Sequence, residues 1–558
     1  MTRGAWPGLD RHRPILVGEL PYYRMRPERW RASLEALREA GIDVVSFYVP
    51  WRFHELGASG QERFDFTGRT DAQKDVVGFM RAIAETGLAA LVKPGPFIHA
   101  EVQLGGLPDR LCDPMHVAPY EGADGGHLMS QGKPLPKVHD PRFRREVDAW
   151  MEAVNVSLIE PFAHPRGPVV AVQLGNEGVL GEACKPVRHA DLGAGSQLRG
   201  AARARAAAEL TVQQWSLLSS RLHPSPVRVV NAPLVRIGTA AEPGAFGSWL
   251  ARSAAFRAAP VHLGHTEWVG DASSDPSAFL AHALQIGAAR SDVAEANWGF
   301  TWTTGRFAQG AAPLFHALLA LVLGARILSV YTACATGSWG SSIDMDADGL
   351  VADGFDPTLY APPYCPGAPF DEMGGRNVNH GSLLRLRSAV DAEGAALLES
   401  TIEPDLVLAV DPLAAAQASE EGSMAAALDR LVERMGMWLF AEGRHVAIAL
   451  DPRDEDVSMV WRGEADTDAV GRRLAASPAR AARGLGGRIA RFVRSGRDAS
   501  FLGLFNPHDR ADEIALQIAD RERRFHLPAR SGLLARIQGG EVAVVVATDA
   551  GATLVVDR

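Results

Sequence analysis

The chain has little cysteine, no excess of basic charge and no long apolar run, and each shortage removes a class of function. Its 558 residues contain four cysteines, Cys112, Cys184, Cys334 and Cys365, none in a Cys-x-x-Cys pair. A zinc knuckle is therefore excluded and free thiols are expected. The net charge is −9, which argues against nucleic acid as the main partner, because phosphate binding needs a clustered basic surface. No stretch approaches a membrane span, and the N-terminus has no apolar core of a signal peptide. The expectation is a cytoplasmic protein without a membrane partner. No His-Glu-x-x-His, no Gly-x-Ser-x-Gly elbow and no Gly-Lys-Ser/Thr phosphate loop occurs, so neither a metal nor another cofactor is expected.

What is present is an alternation of short apolar runs and helical patterns. Val169-Val-Ala-Val-Gln-Leu-Gly-Asn-Glu177 centres it: an apolar run that ends abruptly in Asn176-Glu177. Such a run suits a strand buried on both faces of a parallel sheet, and the carboxyl end of such a strand is where these folds place their chemistry. Similar runs begin at Ile15, Val44, Leu88, Val227, Pro260, Asp292 and Arg326. Helical spacing separates them, with Pro27, Asp71 and Asp140-Pro141 as start signals and Gly41 and Gly87 as stops. Lys93-Pro-Gly-Pro reads as loop, because proline interrupts a strand ladder. Eight alternations predict a (β/α)8 barrel of the TIM type over residues 1–400. A β-α-β pattern predicts a small, doubly wound α/β domain over 401–497. Alternating short strands predict a β-sandwich over 498–558. Homo-oligomerisation is possible for such a chain, and its sequence sets no particular state.

The strand ends are acidic: Glu19, Glu55, Glu101, Glu177, Glu267 and Glu295. Two carboxyl groups, one protonated and one ionised, are the apparatus of glycosidic bond hydrolysis. Trp51, Trp298 and Trp302 serve either as sugar platforms or as core, and His54 is placed to orient a carboxylate or Trp51.

Four motifs then appear in order: Gly18-Glu-Leu-Pro-Tyr22-Tyr-Arg24, Tyr48-Val-Pro-Trp-Arg-Phe-His-Glu55, Lys93-Pro-Gly-Pro-Phe-Ile-His-Ala-Glu101 with Gly105-Gly-Leu-Pro108, and Val172-Gln-Leu-Gly-Asn-Glu177. Together they resemble glycoside hydrolase family 35, the β-galactosidase family. The resemblance implies a retaining, exo-acting hydrolase of terminal β-galactosides with no cofactor. It implies Glu177 as acid/base, Asn176 as donor to the sugar 2-hydroxyl, and Tyr22, Glu55, Ala100 and Glu101 as sugar contacts. Trp298 and Tyr331 complete the expected substrate-binding set. The nucleophile of that family follows strand seven. By strand count this is Glu295, with Glu267 one strand earlier as a substrate-binding acid or a rim charge. Pro21, His99 and Gly178 depart from the family pattern at the sugar pocket. Runner-up readings are an exo-β-glucosaminidase, a β-arabinopyranosidase and a non-catalytic sugar-binding protein.

Overall fold

The computed structural model describes residues 6–10, 12–57, 63–120, 126–177, 198–238, 244–337, 343–352, 354–476, 482–484 and 487–555. Gly178 and Cys184 lie outside the described residues.

Eight parallel strands form one sheet: β1 Ile15–Glu19, β2 Val44–Tyr48, β3 Ala89–Gly95, β4 Val169–Leu174, β5 Val227–Pro233, β6 His262–Thr266, β7 Asp292–Glu295 and β8 Ile327–Val330. Strand β1 pairs in parallel with both β2 and β8. The sheet closes between β7 and β8 just past their ends. There the Tyr331 amide donates to the Ala296 carbonyl at 3.1 Å, and the Trp298 amide to the Tyr331 carbonyl at 3.0 Å. The result is the (β/α)8 barrel that the alternation predicts.

A long helix follows each strand: α1 Pro27–Glu39, α2 Val76–Thr86, α3 Pro141–Val154, α4 Gly200–Ser219, α5 Ala245–Arg257, α6 Pro276–Ala289, α7 Ala311–Leu323 and α8 His380–Glu399. Their starts follow from local chemistry. Asp140 accepts from the amides of Arg142 and Phe143, and Pro141 occupies the first turn of α3, where its missing N–H costs nothing. The cap of α2 differs from expectation. Asp71 caps a short 3-10 turn, and Asp75 caps α2 by accepting from the Gly78 amide.

Strand alternation sorts the side chains. Ile15, Val17, Val44, Leu91, Val170, Val229 and Ile327 form a cluster of strand residues that Trp6 joins, which is the barrel interior. Leu16, Val45, Ala90 and Val172 belong instead to the larger core shared with the helices. The strand β3 runs through Lys93-Pro94-Gly95, which the sequence assigns to a loop. Its pairing with β4 shifts register between Val92 and Gly95, and such an irregularity tolerates a residue that cannot donate.

After α8, parallel strands Leu406–Val410, Val446–Ala449 and Met459–Trp461 make a three-stranded sheet, with helices Pro412–Ala418 and Gly422–Ala441 between the first two strands and Glu464–Ala476 after the third. Two antiparallel sheets complete the chain, of five and four strands, the first of them including Thr401–Ile402 from ahead of the three-stranded sheet. They take in Ala482–Gly484 and Ala490–Ser495, ahead of residue 498. These layers lean on the barrel through aromatic contacts: Phe279 of α6 meets Phe440 and Phe492, and Phe315 of α7 meets Phe505. Among the described residues, no helix is long and apolar enough to cross a membrane.

Candidate active site

A cavity of about 430 Å³ opens at the carboxyl ends of the barrel strands. Ala100, Glu101, Asn176, Glu177, Glu295 and Tyr331 line it, so six residues of the expected set share one space. Trp268, Trp302, Phe355, Leu359 and Tyr360 form its apolar wall. Trp302 lies between two rings, stacked on Phe300 at 4.2 Å and on Tyr360 at 4.7 Å between centroids.

Glu177 follows β4 through a tight turn in which Glu177 itself has φ +51°. Its amide donates to Asn231 Oδ1 at 3.1 Å, from β5, and Thr266 Oγ1 of β6 donates to its Oε1 at 2.8 Å. Asn176 is fixed on both ends of its amide. Its Nδ2 donates to the Ile98 carbonyl at 2.8 Å, and its Oδ1 accepts from Tyr48 at 2.8 Å and from Asn231 Nδ2.

Glu295, at the end of β7, sits deeper. Lys93 Nζ lies 3.1 Å from its Oε1 and 2.8 Å from Glu19 Oε2, and the Tyr48 hydroxyl also donates to Glu295. Burial pushes the Glu295 carboxyl up to about 7, helped by the charges of Glu19 and Glu177, while the Lys93 ammonium and the Tyr48 hydroxyl oppose the shift. That Glu177 acts on Glu295 at all reflects their common cavity.

On the opposite side, His99, Ala100 and Glu101 all carry positive φ, near +50°. Burial of this strained turn is held by Arg24, whose Nη2 donates to the Ala100 carbonyl at 2.8 Å and whose guanidinium pairs with buried Asp344. Glu101 Oε2 accepts from Tyr364 at 2.7 Å, and Tyr364 shares a 2.9 Å hydrogen bond with Tyr331.

The structure leaves three expected contacts outside the cavity. The Tyr22 ring is buried among Trp30, Phe47 and Phe79, and its hydroxyl bonds His54 Nε2 at 2.5 Å. His54 therefore orients Tyr22 and the Asp65 carbonyl, neither a carboxylate nor Trp51. Glu55 is held by Arg63 at 3.1 Å and Arg110 at 2.8 Å. Trp298 is 1% exposed and contributes its backbone to barrel closure; Trp51 stacks on Trp150 in the core. Glu267 is no rim charge and does not line the cavity: it is buried beside His265 at 3.4 Å and His316 at 3.3 Å.

Sequence reasoning missed Tyr48, Lys93, Asn231, Thr266 and Tyr364. Three of them had a readable signal, since Tyr48, Asn231 and Thr266 stand near the carboxyl ends of barrel strands.

Residues 9–118 match the model of the family described as Glycosyl hydrolases family 35. The four-motif resemblance thus has an independent counterpart over three of its motifs. The chain is 31% identical over 163 residues to a "Beta-1,2-glucosyltransferase" of Ignavibacterium album, covering 29% of this chain and 22% of that protein. It is 29% identical over 174 residues to the "Beta-galactosidase-1-like protein" of Mus musculus, covering 31% and 23%. The chain spans about a fifth of the length of these curated relatives. In three dimensions it is similar to a cold-adapted β-galactosidase from Rahnella sp. R3, with TM-score 0.58 over 97% of this chain and 98% of the other at 10% identity. That likeness establishes a shared architecture from end to end.

Proposed function

We propose that the chain is a retaining, exo-acting glycoside hydrolase that removes terminal β-galactosyl units. The observation that carries this reading is the pair Glu177 and Glu295. They stand after strands four and seven of the barrel and open into one cavity walled by Trp268, Trp302 and Tyr360. Flat apolar rings opposite carboxylates suit a sugar, which has one face of C–H bonds and a rim of hydroxyls.

In this reading the Glu295 carboxylate attacks the anomeric carbon as Glu177 gives its proton to the departing glycosidic oxygen. Glu177, now ionised, takes a proton from water, and that water displaces Glu295 from the glycosyl-enzyme. Lys93 and Tyr48 hold the Glu295 oxygen from which the proton has gone, so they keep the nucleophile ionised against its burial. Asn176, immobilised by three partners, offers its amide to the sugar 2-hydroxyl as positive charge develops at the ring. No cofactor takes part.

Rates over a panel of aryl β-glycosides, with the anomer of the first product followed by NMR, test the proposal. Preferred cleavage of the galactoside with the β-anomer appearing first supports it. Preference for a glucosaminide or arabinopyranoside would keep the mechanism and change the sugar. An α-anomer as first product, or binding without turnover, would overturn it.

A further inference from the structure

Outside the cavity, a second group of polar side chains is sealed from solvent between β6, α6 and α7. Glu267 follows β6 by one residue, His282 lies in α6 and His316 in α7, and all three are buried. One ligating atom from each lies within 4.8 Å of the other two.

The hydrogen bonds identify the atoms. His282 Nδ1 donates to the Ala278 carbonyl at 2.7 Å, which leaves Nε2 with a lone pair. That Nε2 is buried and has no hydrogen-bond partner. Glu267 Oε1 faces His265 Nε2 at 3.4 Å. Glu267 Oε2 has no hydrogen-bond partner either, although it lies 3.3 Å from His316 Nδ1. Two buried acceptors in one cluster, neither with a hydrogen-bond partner, are rare in a native interior and call for a ligand.

We propose that Glu267 Oε2, His282 Nε2 and His316 Nδ1 form a three-ligand site for one divalent metal ion of the zinc type. Two imidazoles and a carboxylate are the donor set that such an ion favours. The surroundings match the way ligating histidines are held, each by its other ring nitrogen. For His282 the holder is the Ala278 carbonyl. For His316 it is Asp271, whose Oδ1 lies 3.5 Å from Nε2 and whose own carboxylate is held by Arg306 at 2.9 Å and by Ser273 and Ser274. His316 Nε2 accepts from the Ala272 amide at 3.0 Å, a bond given up when a metal takes Nδ1 and the ring proton passes to Nε2, toward Asp271.

The position gives the ion a purpose. Thr266 and Trp268 flank Glu267, and these residues hold Glu177 and wall the cavity. Pinning Glu267 to two helices fixes both.

The test uses the full chain expressed in medium supplemented with Co²⁺, so that the ion is present during folding, then passed over a chelating resin. The proposal predicts about one metal equivalent per chain by elemental analysis, and visible d–d bands of low-coordinate cobalt with nitrogen and oxygen donors. H282Q and H316Q should each lose more than nine-tenths of the metal, whereas H265Q, outside the ligand set, should keep it. Folded wild-type protein without stoichiometric metal after expression in cobalt or in zinc would overturn the site. So would H282Q and H316Q loaded as fully as wild type. The cobalt spectrum of the wild type decides the question even where a variant fails to fold, and activity plays no part in it.

Discussion

Lys93 Nζ lies 3.1 Å from Glu295 Oε1, with both side chains buried. The same ammonium lies 2.8 Å from Glu19. One cation thus faces two carboxylates, and it keeps a proton that burial alone would strip away: burial lowers the Lys93 proton affinity, Glu19 and Glu295 raise it, and the net shift is upward. The arrangement fixes how the charge of Glu295 depends on pH.

In the proposed mechanism Glu295 attacks only as a carboxylate, and burial sets its ionisation near pH 7. As pH falls through about 7 the proton returns and kcat/KM should fall roughly tenfold per unit for a single ionisation. Lys93→Met removes a charge that favours ionisation, so the acid limb should move to higher pH. A pH–rate profile of both proteins checks this, and an acid limb near pH 4 in the wild type would contradict it. Loss of the buried cation should also destabilise the fold by about 3–5 kcal/mol, because two carboxylates lose their partner.

Glu177→Gln keeps the hydrogen bond from Thr266 but cannot donate a proton to the leaving group. Activity on poor leaving groups should drop on the order of 10²–10⁴-fold, with a much smaller loss on activated aryl glycosides. Equal losses on both would mean that Glu177 is not the acid.

Thr266→Val removes the Oγ1 donor to Glu177 Oε1 at nearly constant volume. The expected loss is about 1 kcal/mol, roughly fivefold in kcat, with KM little changed. A larger effect on KM than on kcat would show that Thr266 serves binding instead.

Arg24→Met leaves Asp344 buried without its cation and frees the Ala100 carbonyl at the strained turn. Stability should fall by about 3–5 kcal/mol, seen as a lower Tm. A variant that melts with the wild type would show that the turn of His99 to Glu101 holds without Arg24.

Much of the barrel is legible because parallel strands buried on both faces leave apolar runs, and because proline and aspartate mark the helix starts. Glu177, Glu295, Asn176 and Glu101 are legible because they stand at strand ends, where direction is fixed by the sheet. What alternation cannot show is where a side chain turns once the strand has ended. Tyr22 occupies the family's motif position, yet its ring goes into the aromatic cluster of Trp30 and Phe79. Glu55 is equally well placed by motif and is captured by two arginines. Lys93 escaped notice for another reason: Pro94 looks like the end of a strand that in fact continues to Gly95. Glu267 and Glu295 share the same pattern of strand, Glu and nearby Trp. Strand count separates them in the sequence, and in the structure Glu267 has histidines from its own strand and from α7 against it while Glu295 lines the cavity.

The central claim is that Glu295 carries the sugar. Incubation with a 2-deoxy-2-fluoro-β-galactosyl fluoride, then peptide mass mapping, tests it most directly. The account predicts a fluorosugar adduct on Glu295 and none in Glu295→Ala. An adduct on Glu267, or no adduct from an enzyme that turns over galactosides, would contradict it.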